Sequence, residues 1–260
     1  MDYLVYAYLQ RAQDKHALDV LTELKQIRTV EPQTFKVAYA YTAIPARYVL
    51  ERRQWSEAAK LTSPAAEYKD FPWQLFPWAD AHIHFARAIG ASRSGDLAAA
   101  RAEIDELAAI RQAVVAVKGD YDWAKQIDIQ SMIASAWLRY AEGKIDEALK
   151  LAQSAADLDD ATDKHPVTPG AILPAREQLG ELLLELKRPA DALREFETSF
   201  RSTPNRFQGL YGAARAARLA GNDKSAKLYY AKLVDLARDA DTPRPEIAEA
   251  REFLAKVRSK

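Results

Sequence analysis

The chain has 260 residues, 48% of them hydrophobic and 28% charged, with Lys+Arg and Asp+Glu balanced at 37 each. That is enough apolar material for a continuous core. The charge balance argues against nucleic acid or an anionic membrane surface as partner, because both are gathered by a long-range positive field. Cysteine is absent, which removes disulfides, thiolate metal sites and cysteine nucleophiles while leaving the compartment open. No window approaches the roughly 18 consecutive apolar residues of a membrane span, and the opening MDYLVYAYLQ has neither a basic n-region nor a small-residue cleavage site.

In chain order, Asp2 to Gln10 reads as the interior of an amphipathic helix, with Leu4, Val5, Tyr8 and Leu9 apolar and no capping segment before it. The expectation is that upstream repeats precede it and cover that face, since end repeats of a stacked array need a polar outer surface. Helical pattern then breaks at Glu31-Pro32, at Ser63-Pro64, through the doubled F-P-W of Phe71 to Trp78, and at Gly119-Asp120. Later breaks fall across the HPVTPG string from His165 to Gly170, at Pro204-Asn205 and at Thr242-Pro243. Proline cannot continue a helix and biases its predecessor toward extended backbone, so each break predicts a connection. No segment alternates with period two, so no sheet is predicted and the fold class is all-α. The breaks divide a single domain, 1–260, into hairpins at roughly 1–30, 33–68, 77–118, 122–160, 170–203 and 205–239. A last helix over 243–258, with Thr242 as cap and Pro243 in its first position, carries Ile247, Ala250, Phe253 and Leu254 on one face and is predicted to close the final hairpin.

One short template recurs. In Gly95–Ala100, Gly143–Ala148, Lys187–Ala192, Gly221–Ala226, Arg53–Ala58 and Ala12–Ala17, the first residue lies five positions before a small alanine, with helical pattern on both sides. The alanines are spaced by 41, 42, 48, 44 and 34 residues, a period that predicts stacked helical hairpins. Four have a larger neighbour one turn on, Ala192 with Phe196, Ala226 with Tyr230, Ala100 with Ile104 and Ala17 with Leu21, so small and large side chains alternate across the predicted contacts. Leu179-Gly180, Ala192, Phe196 and Pro204 resemble the L-G, A, F and P positions of the tetratricopeptide repeat, and Ala213-Ala214, Ala226 and Tyr230 continue the likeness. MDYLVYAYLQ, the HPVTPG loop and PNRFQGLYGAARAA also resemble bacterial tetratricopeptide-repeat proteins of unassigned function that are usually longer at the N-terminus. The resemblance implies an α-solenoid, a right-handed superhelix of stacked antiparallel hairpins.

Such a superhelix has a concave face lined by the first helix of each hairpin. The register places Tyr6, Leu9 and Arg47 there, then His82, Phe85, Gln130, Ile133 and Trp137, then Glu177, Glu181, Tyr211, Arg215 and Arg218. Aromatic in the middle with arginines at one end, this set suits an extended protein or peptide ligand. The function read from the sequence is a non-catalytic protein- or peptide-binding scaffold without cofactor or metal. One alternative is an enzyme or small-ligand receptor, which a pocket gathering His82, His84 or Trp78 around a strongly perturbed histidine would favour. A second is self-assembly into a homo-oligomer through the apolar N-terminal hairpin. His82 and His84 are two apart on a helix and point to different faces, so they are not read as a metal pair. His16 and His165 have no partner at matching spacing, and His165 before proline is read as ordering its loop. The carboxylates Asp159-Asp160 and Asp120-Asp122 fall at helix ends, where capping explains them. The F-P-W segment is read as a buried plug between hairpins in preference to an exposed aromatic surface.

Overall fold

The computed structural model describes residues 1–115 and 121–258, and within them every regular element is helical. Six turns share one geometry. Ala12, Arg53, Gly95, Gly143, Lys187 and Gly221 all sit in the left-handed region, with φ between 55° and 88°. The residue after each returns its N–H to a carbonyl five positions back, as in Gln13 to Tyr8 (2.8 Å), Lys144 to Arg139 (2.9 Å) and Asn222 to Ala217 (2.8 Å). That bond closes the last turn of the incoming helix and reverses the chain. Four residues further on, Ala17, Ala58, Ala100, Ala148, Ala192 and Ala226 are all fully buried. The side chain is small there because the paired helices approach most closely just past the turn.

The turns join α1 (Asp2–Gln10) to α2 (Asp14–Gln26) and α3 (Phe35–Glu51) to α4 (Trp55–Ala58), which is followed by α5 (Pro64–Glu67). They likewise join α6 (Ala81–Ser94) to α7 (Leu97–Val115), α8 (Trp123–Ala141) to α9 (Ile145–Asp160), α10 (Ala175–Glu185) to α11 (Pro189–Ser199), and α12 (Phe207–Leu219) to α13 (Asp223–Leu236). A final helix, α14 (Pro245–Arg258), packs on α13. Two predicted elements are corrected. The hairpin over 33–68 has a second arm of two single turns, α4 and α5, because Pro64 stops the helix soon after Ala58. The last helix begins at Pro245 instead of Pro243, and Thr242 does not cap it but donates its hydroxyl to Asp14 of α2 (2.7 Å). The break at Gly119-Asp120, Asp120 itself and the predicted hairpin end at residue 118 lie outside the described residues.

The first helices touch in order, α1 with α3, then α6, α8, α10 and α12, and α12 touches α1, so the inner helices form a closed cycle. Each outer arm packs on its own partner and on the first helix of the next hairpin, as α7 does on α8 and α11 on α12. Val5 and Leu9 of α1 are therefore covered by this chain itself, while Tyr3 and Leu4 stay exposed. Phe196 of α11 illustrates the packing: its ring lies in a notch between Gly180 of α10 and Gly212 of α12, and a Cβ built on Gly180 would sit 2.9 Å from that ring, with one on Gly212 closer still. The F-P-W segment is packed inward, with Phe71 and Trp78 buried. Trp78 lies flat on Trp123 (3.8 Å between centroids, 6° between planes), and His165 of the HPVTPG loop covers the same indole at 5.4 Å. His165 also orders its own loop, accepting the Val167 N–H on Nδ1 at 3.1 Å.

These contacts set opposite expectations for two substitutions, both read by urea unfolding. Gly212→Ala raises helix propensity yet drives a methyl into the rigid Phe196 ring, and is expected to destabilise by about 1–3 kcal/mol. Lys187→Gly removes a side chain from a left-handed residue and is expected to raise the unfolding midpoint.

Candidate functional site

The inner face is filled, and this corrects the expectation of an open groove there. Of its predicted residues, Leu9, Arg47, His82, Phe85, Ile133, Trp137, Glu177, Glu181 and Tyr211 are buried, Tyr6, Gln130 and Arg215 are half-buried, and Arg218 is exposed. Closing the cycle turns these side chains on one another. Arg206, which is 1% exposed and begins the approach to α12, donates to Glu177 of α10 (2.9 Å) and to Glu51 of α3. Arg47 of α3 reaches Asp2 of α1 (3.4 Å) and donates to the carbonyls of Ala171 (3.1 Å) and Gly170 (3.2 Å). Arg53, in the left-handed turn after α3, donates to Glu181 (2.6 Å) and Gln208 (3.1 Å). Tyr6 lies under both Arg47 and Arg206, at 5.4 Å and 5.8 Å from its ring centre. Burial, reinforced by the charges of Glu51 and Glu181, outweighs Arg206 and lifts the Glu177 carboxyl to about 7.

A second set of contacts seals the ends. Asp14 receives Arg244 and Thr242 from the segment leading into α14, Asp241 accepts the backbone N–H groups of Lys15 and His16 (3.1 Å each), and Gln10 accepts the Phe207 N–H (2.8 Å). Burial pushes the Asp14 carboxyl upward, but hydrogen bonds and charge from Arg244, with Thr242 and Arg52 adding, hold it below its ordinary value. Glu249 of α14 accepts from the Tyr211 and Tyr230 hydroxyls (2.7 Å and 2.6 Å) and pairs with Arg218 at 3.0 Å. The aromatic centre is similarly occupied: Trp137 donates its indole N–H to Gln178 (2.9 Å), and the Arg93 guanidinium lies over Trp137 (4.4 Å) and Trp55 (5.4 Å). The space remaining between these groups, about 20 Å³, holds a water molecule or so.

The two histidines of the H-x-H pair do face different sides. His82 is buried against the Thr42 hydroxyl (3.0 Å), and desolvation, with the charge of Arg47, takes its pKa down to about 3. His84 lies between Glu103 (2.7 Å) and Asp80 (3.4 Å); burial alone would depress it, but hydrogen bonds and charge from Asp80 and Glu103 raise it to about 9. Of the predicted capping carboxylates, Asp122 accepts from the Lys125 N–H (2.9 Å), Asp159 from the Ala175 N–H (3.2 Å), and Asp160 pairs with Arg176 at 2.8 Å. Among the described residues, no helix is long and apolar enough to cross a membrane.

Open space lies on the outer side of α3. Because α4 and α5 are single turns, no full-length arm covers this side, and a cleft remains between α2, α3 and the α4–α5 segment, with about 490 Å³ open to water. Its floor is one stripe of α3, Tyr41, Pro45 and Tyr48, at the i, i+4 and i+7 positions of a single helical face, continued by Arg52 just past the helix end. Leu21 and Leu24 form one wall, Leu61, Pro64 and Tyr68 the other, and exposed Lys25, Glu57, Lys60 and Glu67 stand at the rim. Pro45 has no N–H to return to the Tyr41 carbonyl, so the cleft floor keeps a backbone acceptor without its usual helical partner. The register argument missed this cleft; the signal was Pro64, only six residues after the template alanine Ala58.

Two measurements check the electrostatics. Arg206→Ala leaves Glu51 and Glu177 buried without their cation and is expected to cost about 3–5 kcal/mol in chemical unfolding. Arg11→Ala, which breaks the exposed pair with Asp239, is expected to leave the midpoint unchanged within error. The raised pKa of His84 gives the fold stability that is full below pH 6.5 and is lost as pH rises through about 9. Thermal midpoints followed over that range are expected to fall in the wild type and to lose most of this slope in His84→Gln. Compared with protein-family models and with curated proteins, the chain matches none.

Proposed function

We propose that the chain is a non-catalytic scaffold that binds a segment of another protein, built as a tetratricopeptide-like array whose superhelix is closed on itself, and that the segment lies in the cleft over α3. The six equivalent left-handed turns, each followed by a buried alanine, support the repeat reading. The observation that carries the choice of surface is volume: the cleft leaves about 490 Å³ open, whereas the space among the inner-face residues is about 20 Å³. A floor with two tyrosines and a proline beside Arg52, a third tyrosine on the wall and a charged rim have the anatomy of a protein-binding patch, with anchors in the centre and polar groups at the edge.

The test is selection of a random phage-displayed peptide library on the immobilised protein, followed by titration of the enriched peptides against variants shown by circular dichroism to be equally helical. Leu61→Asp, at the cleft wall, is expected to weaken binding at least tenfold. A paired Arg215→Ala, Arg218→Ala variant on the predicted concave face is expected to leave binding unchanged. Peptides that lose affinity for the arginine variant and keep it for Leu61→Asp would move the site back to the inner face.

A further inference from the structure

A second cavity lies where the N-terminal ends of α3, α6 and α8 meet the HPVTPG loop. Its walls are rings: Tyr39, Tyr121, Trp123 and His165. The Tyr39 hydroxyl donates to Gly170 (3.3 Å) and that of Tyr121 to Asp163 (3.0 Å), so both phenols are committed to holding the loop. About 30 Å³ of the cavity is open to water, room for about two water molecules, and the space widens to an open mouth.

Several polar groups at this cavity are not committed. Asp159 and Lys164 both line it, of opposite charge, yet neither forms an ion pair among the described residues; Asp159 accepts only the Ala175 N–H, and Lys164 donates at 3.4 Å to the Ser202 carbonyl. Burial raises the Asp159 carboxyl against the Ala175 N–H and the charge of Lys164, and partial desolvation lowers the ammonium of the largely exposed Lys164 against the charge of Asp159. Among the described residues the buried Gln130 side-chain oxygen has no donor to accept from. His82 adds a further acceptor. The Thr42 hydroxyl is within reach of the Ala38 carbonyl (3.1 Å), the usual bond of a helical threonine, and then accepts the His82 Nδ1–H at 3.0 Å, which leaves Nε2 with its lone pair. Arg47, behind the Gly170 and Ala171 carbonyls, is answered by Asp2, so among the described residues the cavity's own charges are one negative and one positive.

We propose that this cavity binds a small zwitterionic amino acid of the size of glycine or alanine, its ammonium toward Asp159 with the Gln130 oxygen and His82 Nε2 as further acceptors, and its carboxylate toward Lys164. Two opposite charges held in one cavity without pairing suit a ligand that carries both signs, and a lone cation or anion would satisfy only one of them. The aromatic walls add attraction for the ammonium. This inference stands on residues apart from the cleft over α3 and is independent of the scaffold reading.

Isothermal titration with glycine and L-alanine, beside acetate, methylammonium and sodium chloride at matched ionic strength, tests it. The expected result is saturable binding of at least one of the two amino acids, with acetate and methylammonium at least tenfold weaker. Asp159→Asn and Lys164→Met are each expected to weaken that binding at least tenfold. Lys164 is exposed, so its variant remains informative even where Asp159→Asn perturbs the Ala175 contact. The absence of saturable heat with either amino acid would overturn the proposal, as would methylammonium or acetate binding as tightly as the amino acid, or affinity unchanged in Lys164→Met.

Discussion

The contact on which the rest of this structure depends is the junction of the chain's beginning with its end. α1 meets α12, Asp14 receives Arg244, and Arg206 spans Glu51 and Glu177, so the cycle of inner helices is closed by charges taken out of water. Such pairs add little net stability over an apolar contact of the same shape, because desolvation offsets most of the Coulomb attraction. Their effect is on alternatives: a slip of one helix past another would leave Arg206, Arg47 or Glu51 buried without a partner, which is far more costly than a lost apolar contact.

Closure has two consequences for what the molecule can bind. The inner face becomes core, and side chains that suit a peptide groove in an open superhelix here hold one another. The positions left open are those where the regular pattern of the hairpins fails. One is the outer face of α3, uncovered because its partner arm is cut into single turns by Pro64. The other is the rim where the long α9–α10 connection crosses the ends of α3, α6 and α8 and leaves Asp159 and Lys164 facing a cavity. α3 lies at the centre of both arrangements, giving Tyr41, Pro45 and Tyr48 to the cleft and Tyr39, Arg47 and Glu51 to the interior.

Much of this was legible in the chain. The turn template placed six reversals correctly because a left-handed residue followed by a buried alanine is a local requirement, met by backbone sterics and by the close approach of two helices adjacent in sequence. The pairing of Phe196 with Ala192 followed from the same logic, whereas the notch between Gly180 and Gly212 that receives its ring did not. The arm opposite α3 was misjudged because one hairpin over 33–68 was drawn across the break at Ser63-Pro64. Thr242 was assigned to the helix beside it, whereas its hydroxyl goes to Asp14, 228 residues away.

That last error marks the division. The sequence by itself determined the helices, the turns that pair them and the small-to-large alternation between paired arms, since each is fixed by residues a few positions apart. Only the tertiary structure decided that the array closes, that Arg47, Glu177 and Trp137 are interior, and which surfaces stay open. A charge pattern read along one chain does not say which carboxylate meets which guanidinium; the hydrogen-bonding partners of Asp14, Glu51 and Gln10 lie 155 to 230 residues away and are brought to them by the closing of the cycle of inner helices. How each hairpin sits on the next is set by side-chain volumes across their contact, and whether the first and last inner helices then meet depends on all of those contacts together.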